Sequence, residues 1–199
     1  TDLALKRRLP VLFHRYLCLV LGIKRHVVAG QVPSGPALVI ANHVSWLDIV
    51  VLGAAAPLSF IAKSDVAGWP LFGTLARLQR TVFVERDRRA ATGAARDGIA
   101  SRLAEGDIMV LFAEGTTSDG NRVLPYRSAL IGAARAEAGS GPVAVVPLAI
   151  SYMKSNGLPL TRRQRPDLAW YGDMDLLPHL AAVLAGGPID VSLAWGEPM

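Results

Sequence analysis

The 199-residue sequence has one cysteine, Cys18, and four histidines, at positions 14, 26, 43 and 179. A single cysteine excludes an intramolecular disulfide framework and suits a reducing compartment. Cys18 sits in the apolar segment Tyr16-Leu17-Cys18-Leu19-Val20-Leu21, which fits a packed or lipid-facing side chain better than a nucleophile. The histidines show no ligand spacing, so no metal site is expected. No apolar run reaches the ~20 residues that a spanning helix needs, because His14 and Arg15 interrupt the one candidate. No signal peptide is visible, and the start at Thr1 leaves open whether an anchor precedes it. Internal repeats and low-complexity linkers are also absent.

What is present argues for a folded domain. Charged residues make up 19% and hydrophobic residues 51%, a balance that opposes disorder. The length suits one domain, or one plus a small appendage, with a proper core. The net charge of +5 calls for an anionic partner. Basic clusters stand at Lys6-Arg7-Arg8, Lys24-Arg25-His26, Arg86 to Arg89 and Arg162-Arg163-Gln164-Arg165. They lack interleaved aromatics, so no nucleic-acid partner is expected. The first two flank the apolar stretch Leu9 to Ile23, which favours an anionic membrane surface. For Arg162 to Arg165 a solvated face is an equal reading.

Strands and helices alternate along the chain. Helices are expected at about 3–22, 45–55, 70–79, 90–104, 127–138 and 176–185. Strands are expected at 37–41, 58–62, 82–84, 108–112, 143–150 and 189–195. This order implies an α/β fold, a layered and largely parallel sheet with helices on its faces. A basic and apolar N-terminal helix would associate with the membrane over residues 1–25, followed by the main domain over 26–199. The loop from Ser155 to Pro166 is the segment expected to move most.

The most informative stretch is Asn42-His43-Val44-Ser45-Trp46-Leu47-Asp48, directly after the apolar run Ala37 to Ala41. His43 should therefore emerge at the end of a buried strand, where α/β enzymes site their chemistry. Residues five apart in one helix lie about 140° apart around the axis, so His43 and Asp48 could not meet within a helix. They meet if His43 sits in a turn and Ser45 caps a helix carrying Asp48. The carboxylate would then fix the histidine tautomer and stabilise the imidazolium. The bland alternative is a plain capping box, Ser45 to Asp48. A second block, Phe112-Ala113-Glu114-Gly115-Thr116-Thr117-Ser118-Asp119-Gly120, follows the apolar run Ile108 to Leu111. Gly115 allows positive φ or close approach, and Glu114 with the hydroxyls of Thr116, Thr117 and Ser118 can bind a polar head group. Alone, it reads as well as a polar turn.

Together these blocks resemble the glycerolipid acyltransferases of the bacterial 1-acylglycerol-3-phosphate acyltransferase type. That family carries N-H-x4-D, G-x-x-F-[IV]-[DE]-R, F-P-E-G-T-R and V-P-[VIL] in order. The counterparts here are Asn42 to Asp48, Arg80 to Arg86, Phe112 to Thr117 and Val146-Pro147-Leu148. The resemblance spans roughly residues 10 to 152. Three departures stand out: Ala113 for Pro, Arg80 for Gly, and Thr117 for the Arg thought to hold the acceptor's phosphate. Threonine offers neither charge nor a bidentate fork, so Arg86, Arg122 or Arg127 must supply the cation or the acceptor needs less of it. The E-G-T-T variant is associated with a branch that includes lyso-ornithine lipid acyltransferases.

The resemblance implies transfer of a fatty acyl group from acyl-CoA or acyl-carrier protein to a lysolipid hydroxyl, with no cofactor. His43 would be the base and Asp48 its orienting partner. Arg86, Glu114, Gly115, Thr116 and Thr117 would hold the acceptor, with Asn42 and Lys63 as further candidates. Lysophosphatidic acid ranks first as acceptor because Arg86 is kept; lyso-ornithine lipid follows because of Thr117. The enzyme would work peripherally on the cytoplasmic face of the inner membrane, with acyl-carrier protein a partner if it is the donor. Two other classes stay open. A thioesterase would release fatty acid to water, although no Gly-x-Ser-x-Gly elbow is present. A noncatalytic membrane-binding module would survive loss of His43.

Overall fold

A run that is apolar at every position can be a strand only where both faces of a sheet are covered. In the computed structural model of the protein, described over residues 2–69, 72–84, 89–126, 137–138 and 141–199, Ala37–Ala41 is such a strand, buried throughout. The elements in order are α1 (Asp2–Val20), β1 (Ile23–Ala29), β2 (Ala37–Ala41), α2 (Leu47–Ala55), β3 (Leu58–Lys63), a 3₁₀ turn (Ser64–Gly68), α3 (Phe72–Leu78), β4 (Val82–Val84), α4 (Arg89–Ala104), β5 (Ile108–Phe112), β6 (Glu137–Ala138), β7 (Gly141–Pro142), β8 (Ala144–Ser155), β9 (Leu158–Pro159), α5 (Arg165–Leu168), α6 (Leu176–Gly186) and β10 (Ile189–Trp195). The main sheet runs β1-β10-β8-β2-β5-β3-β4, with β9 added to β8. Strands β8, β2, β5, β3 and β4 are mutually parallel, whereas β10 is antiparallel to β8 and parallel to β1. The fold is thus α/β with a mixed, mostly parallel sheet.

Period-two alternation sorts the core into two layers. Ala37, Val39 and Ala41 face Cys18 and Leu21, Leu47 and Val51 of α2, and Val183 of α6. Leu38 and Ile40 face the other way, with Met109 and Leu111, onto Ile99 and Leu103 of α4. The pair four apart on α4 is fully buried, and burial of each side chain is worth about 1.5–3 kcal/mol. Helix α1 lies against α2 so closely that a methyl at Gly53 would come within 2.8 Å of the His14 ring. Arg15 donates to the Ala54 carbonyl across the same contact, at 3.2 Å.

Several expectations need correction or refinement. The basic segment Lys24-Arg25-His26 is part of strand β1, which was not expected; His26 reaches Asp190 of β10 at 2.6 Å. The division expected between residues 25 and 26 falls inside that strand. Arg7, read as membrane-facing charge, pairs with buried Asp107 at 2.8 Å. Asp107 also takes Arg80 at 3.1 Å and Arg102 at 2.7 Å, at the sheet edge opposite the ends of β2 and β5. Arg80 itself adopts φ +60°. The left-handed turn that glycine favours is therefore kept, with its strain of about 1–2 kcal/mol carried by a residue anchored through its guanidinium. Of the helix expected at 127–138, only Glu137 and Ala138 are among the described residues, and they form strand β6. Strand β8 continues to Ser155 rather than stopping at 150, and the loop read as mobile carries β9 and α5. Among the described residues, no helix is long and apolar enough to cross a membrane.

Candidate active site

Strands β2 and β5 are parallel and in register, Ala41 beside Phe112, so the chain leaves both at one edge of the sheet. His43 and Glu114 follow within two residues of those strand ends and lie together there. The His43 Nδ1 lies 2.8 Å from Asp48 Oδ2, with Asp48 fully buried and the histidine side chain 17% exposed. The expected route to this contact was a Ser45 cap, and the structure corrects it. Trp46, not Ser45, precedes α2 and caps nothing with its side chain. Instead the Asp48 carboxylate reaches back, accepting the Val44 and Ser45 N–H groups on Oδ2 at 2.7 and 3.0 Å. A carboxylate in the first turn of the helix does this better than a seryl hydroxyl because charge-assisted bonds are stronger. The Ser45 Oγ is buried without a partner among the described residues.

Asp48 Oδ1 accepts the Tyr152 hydroxyl from β8 at 2.6 Å. Burial, and next to it the Asp48 charge, push the Tyr152 phenol well above its ordinary range, so it stays a donor. Three donors besides the histidine thus converge on Asp48, and Oδ2, already holding two backbone N–H groups, can only accept from the ring. His43 Nδ1 must then carry the proton, and Nε2 keeps its lone pair. That tautomer is the one a general base needs.

The backbone of the turn is pinned on all sides. Glu114, almost fully buried, accepts the His43 N–H at 2.8 Å and the Leu124 N–H at 2.7 Å. Asn42 makes a paired bond with Ile150 of β8, donating to its carbonyl at 3.0 Å and accepting its N–H at 2.8 Å. The His43 carbonyl accepts the Ser118 N–H at 2.9 Å, and the Val44 carbonyl accepts the Trp170 N–H at 3.0 Å. The His43 ring stacks on Phe112, centroids 3.9 Å apart and 10° from parallel. The Trp46 indole N–H donates to His179 Nδ1 of α6 at 2.9 Å; burial lowers the pKa of His179, which suits this acceptor role.

The other candidates spread around this centre. Gly115 takes φ +75°, as its place in the turn requires, and Thr116 is exposed beside half-buried Thr117. Lys63 ends β3 at the same sheet edge and pairs with Asp65 at 2.5 Å. Arg86 and Arg127 lie outside the described residues. No group of three or more His, Cys, Asp or Glu residues converges on a metal position among the described residues. Sequence reasoning missed Tyr152 and the seating of His43 on Phe112. The alternation Val146, Leu148, Ile150 carries on to Tyr152, and that was the available signal.

A buried carboxylate holding a histidine by Nδ1 beside an E-G-T turn can serve proton abstraction from an alcohol. Residues 24–151 match the acyltransferase family. A lyso-ornithine lipid O-acyltransferase of Brucella abortus is 53% identical over 197 residues, covering 98% of this chain and 74% of that protein. One from Rhizobium meliloti is 49% identical, covering 98% and 68%. A 1-acyl-sn-glycerol-3-phosphate acyltransferase of Neisseria meningitidis is 37% identical over 144 residues, covering 72% and 53%. The crystal structure of the LPA acyltransferase PlsC from Thermotoga maritima shares the fold, with TM-score 0.65 and 22% identity over 97% of this chain and 68% of that one. On the match along residues 24–151 and relatives as near as 53% identity, the chain belongs to the acyltransferase family and is an acyltransferase.

Proposed function

We propose that this enzyme acylates the hydroxyl of a lyso-ornithine lipid, using an acyl-CoA or acyl-carrier-protein thioester as donor and no cofactor. The observation that carries the mechanism is the His43–Asp48 pair with Nε2 left as the free base. The acceptor oxygen attacks the thioester carbonyl, the new ester bond forms and the carbon–sulfur bond breaks. His43 Nε2 takes the hydroxyl proton and passes it to the departing thiolate. A thiol of pKa about 8.5 leaves readily, so no acyl-enzyme is needed. Asp48 holds the imidazolium, Tyr152 and two backbone N–H groups hold Asp48, and Glu114 holds the loop and His43 together. Glu114 is thus given a positioning part, with both oxygens on backbone donors. Gly115, Thr116 and Thr117 line the acceptor's approach.

The order of acceptors is the reverse of the expectation from sequence. Thr117 supplies no cation for a phosphate, and the two relatives at 53% and 49% identity over 98% of the chain carry the lyso-ornithine lipid name. Lysophosphatidic acid is the second reading, favoured by the Neisseria relative. Offering both purified lysolipids with one acyl thioester separates them. A diacylated ornithine lipid is the expected product, and acylation of lysophosphatidic acid alone would overturn the choice.

We assign α1 to the membrane surface, peripheral and on the cytoplasmic side of the inner membrane, where acyl thioesters are held. Support comes from Leu5, Leu9, Leu12, Tyr16 and Leu19, which recur at helical spacing and are all exposed, opposite the face that packs on α2. Replacing Leu9, Leu12 and Leu19 by serine should release the enzyme from anionic vesicles; unchanged binding would remove α1 from that role.

A further inference from the structure

A pocket of about 330 Å³ opens beside the catalytic turn, lined by both residues that flank His43, Asn42 and Val44, and by Tyr152, whose hydroxyl holds Asp48. Its volume lies in the range of small-ligand sites. Its far wall is the loop Gly120-Asn121-Arg122-Val123 together with Arg165. Two residues of that wall each carry a buried polar atom with no hydrogen-bond partner among the described residues, Arg165 Nε and Asn121 Oδ1. The Asn121 assignment is fixed by its other end, because Nδ2 donates to the Arg162 carbonyl at 3.0 Å. Buried polar atoms are seldom left unpaired without a ligand or water to meet them.

One orphan is a cationic donor, reinforced by Arg122, and the other is a neutral acceptor. A simple anion would answer the first and leave the second unmet. A zwitterion answers both, its carboxylate on the guanidinium and its ammonium on the amide oxygen. We propose that this pocket binds the free amino-acid head group of the acceptor, with Arg165 and Arg122 taking the carboxylate and Asn121 Oδ1 the side-chain ammonium. The inference rests on the lyso-ornithine reading and deepens it. It also places the cation that Thr117 lacks on the loop after the E-G-T turn and on α5.

The test compares lyso-ornithine lipid with its decarboxylated analogue, the same 3-hydroxyacyl chain amide-linked to 1,4-diaminobutane. Wild type should prefer the carboxylate-bearing acceptor by about tenfold or more in kcat/KM, the size of a charge-assisted contact. Arg165→Gln should erase most of that preference, chiefly through KM. Arg122→Gln alters an exposed side chain and serves if the first variant does not fold; it should cut the preference in the same direction. Asn121→Ala should likewise erase discrimination against an acceptor whose side-chain amine is acetylated. The proposal falls if wild type does not distinguish the acceptors, or if folded variants keep the wild-type ratios while still acylating lyso-ornithine lipid. If wild type acylates lysophosphatidic acid and not lyso-ornithine lipid, the acceptor reading itself fails and the head-group assignment with it.

Discussion

Tyr152→Phe removes one oxygen and almost no volume, which makes it a clean probe of the buried carboxylate. The Tyr152 hydroxyl donates to Asp48 Oδ1 at 2.6 Å, and Asp48 has no exposed surface through which water could replace it. Oδ2 would keep its three donors, His43 Nδ1, Val44 N and Ser45 N. A hydrogen bond to a charged group contributes about 1.5–3 kcal/mol, so stability should fall by about that amount. For a chain of this size each kcal/mol moves Tm by about 2–4 °C, giving a fall of about 3–12 °C in calorimetry. Because the contact with His43 survives, kcat/KM should drop less than tenfold. A loss of about a thousandfold with normal Tm would refute this reasoning, placing Tyr152 at the reacting atoms. An unchanged Tm would equally deny the bond its role.

Asp48→Asn should lower kcat/KM by about 10²–10⁴-fold, because an amide cannot accept on all sides and no longer fixes the histidine tautomer; steady-state kinetics on a folded variant decide it. Gly53→Ala, normally favourable in a helix, should instead cost about 1–3 kcal/mol, since its methyl meets the His14 ring at 2.8 Å and Gln79 at 3.0 Å. A rise in Tm would show that α1 yields easily. Burial lowers the pKa of His14 from its ordinary 6.5, partly offset by its bond to Pro10. Folding then binds fewer protons than the unfolded chain, so stability is full above about pH 6.5 and declines as pH falls below it. His14→Gln should flatten that decline between pH 7 and 5; an identical profile would assign the acid sensitivity elsewhere.

The central strands were legible because β2 and β5 are buried on both faces and read as unbroken apolar runs. Strand β1 was not, since an edge strand with one buried residue, Ile23, carries Lys24, Arg25 and His26 outward and reads as a charge cluster. His43 and Asp48 were visible as a pair, but the means of bringing them together was not. Sequence suggested that Ser45 caps forward, whereas the structure has Asp48 accepting from the backbone behind it. The hold of Glu114 on the loop was not legible, because its partners, the N–H groups of His43 and Leu124, are backbone atoms that no motif records. The orphaned atoms of Arg165 and Asn121 come together only through the tertiary fold, 44 residues apart in sequence by their numbers.

The most direct test of direct acyl transfer by His43 is to follow a labelled acyl thioester with lyso-ornithine lipid, comparing wild type with His43→Ala. Wild type should form diacylated ornithine lipid and free thiol in equal amounts. The variant, folded by its Tm, should be slower by about 10²–10⁴-fold, the usual worth of a general base. Free fatty acid in place of the diacylated lipid, or a variant rate within about tenfold of wild type, would contradict it.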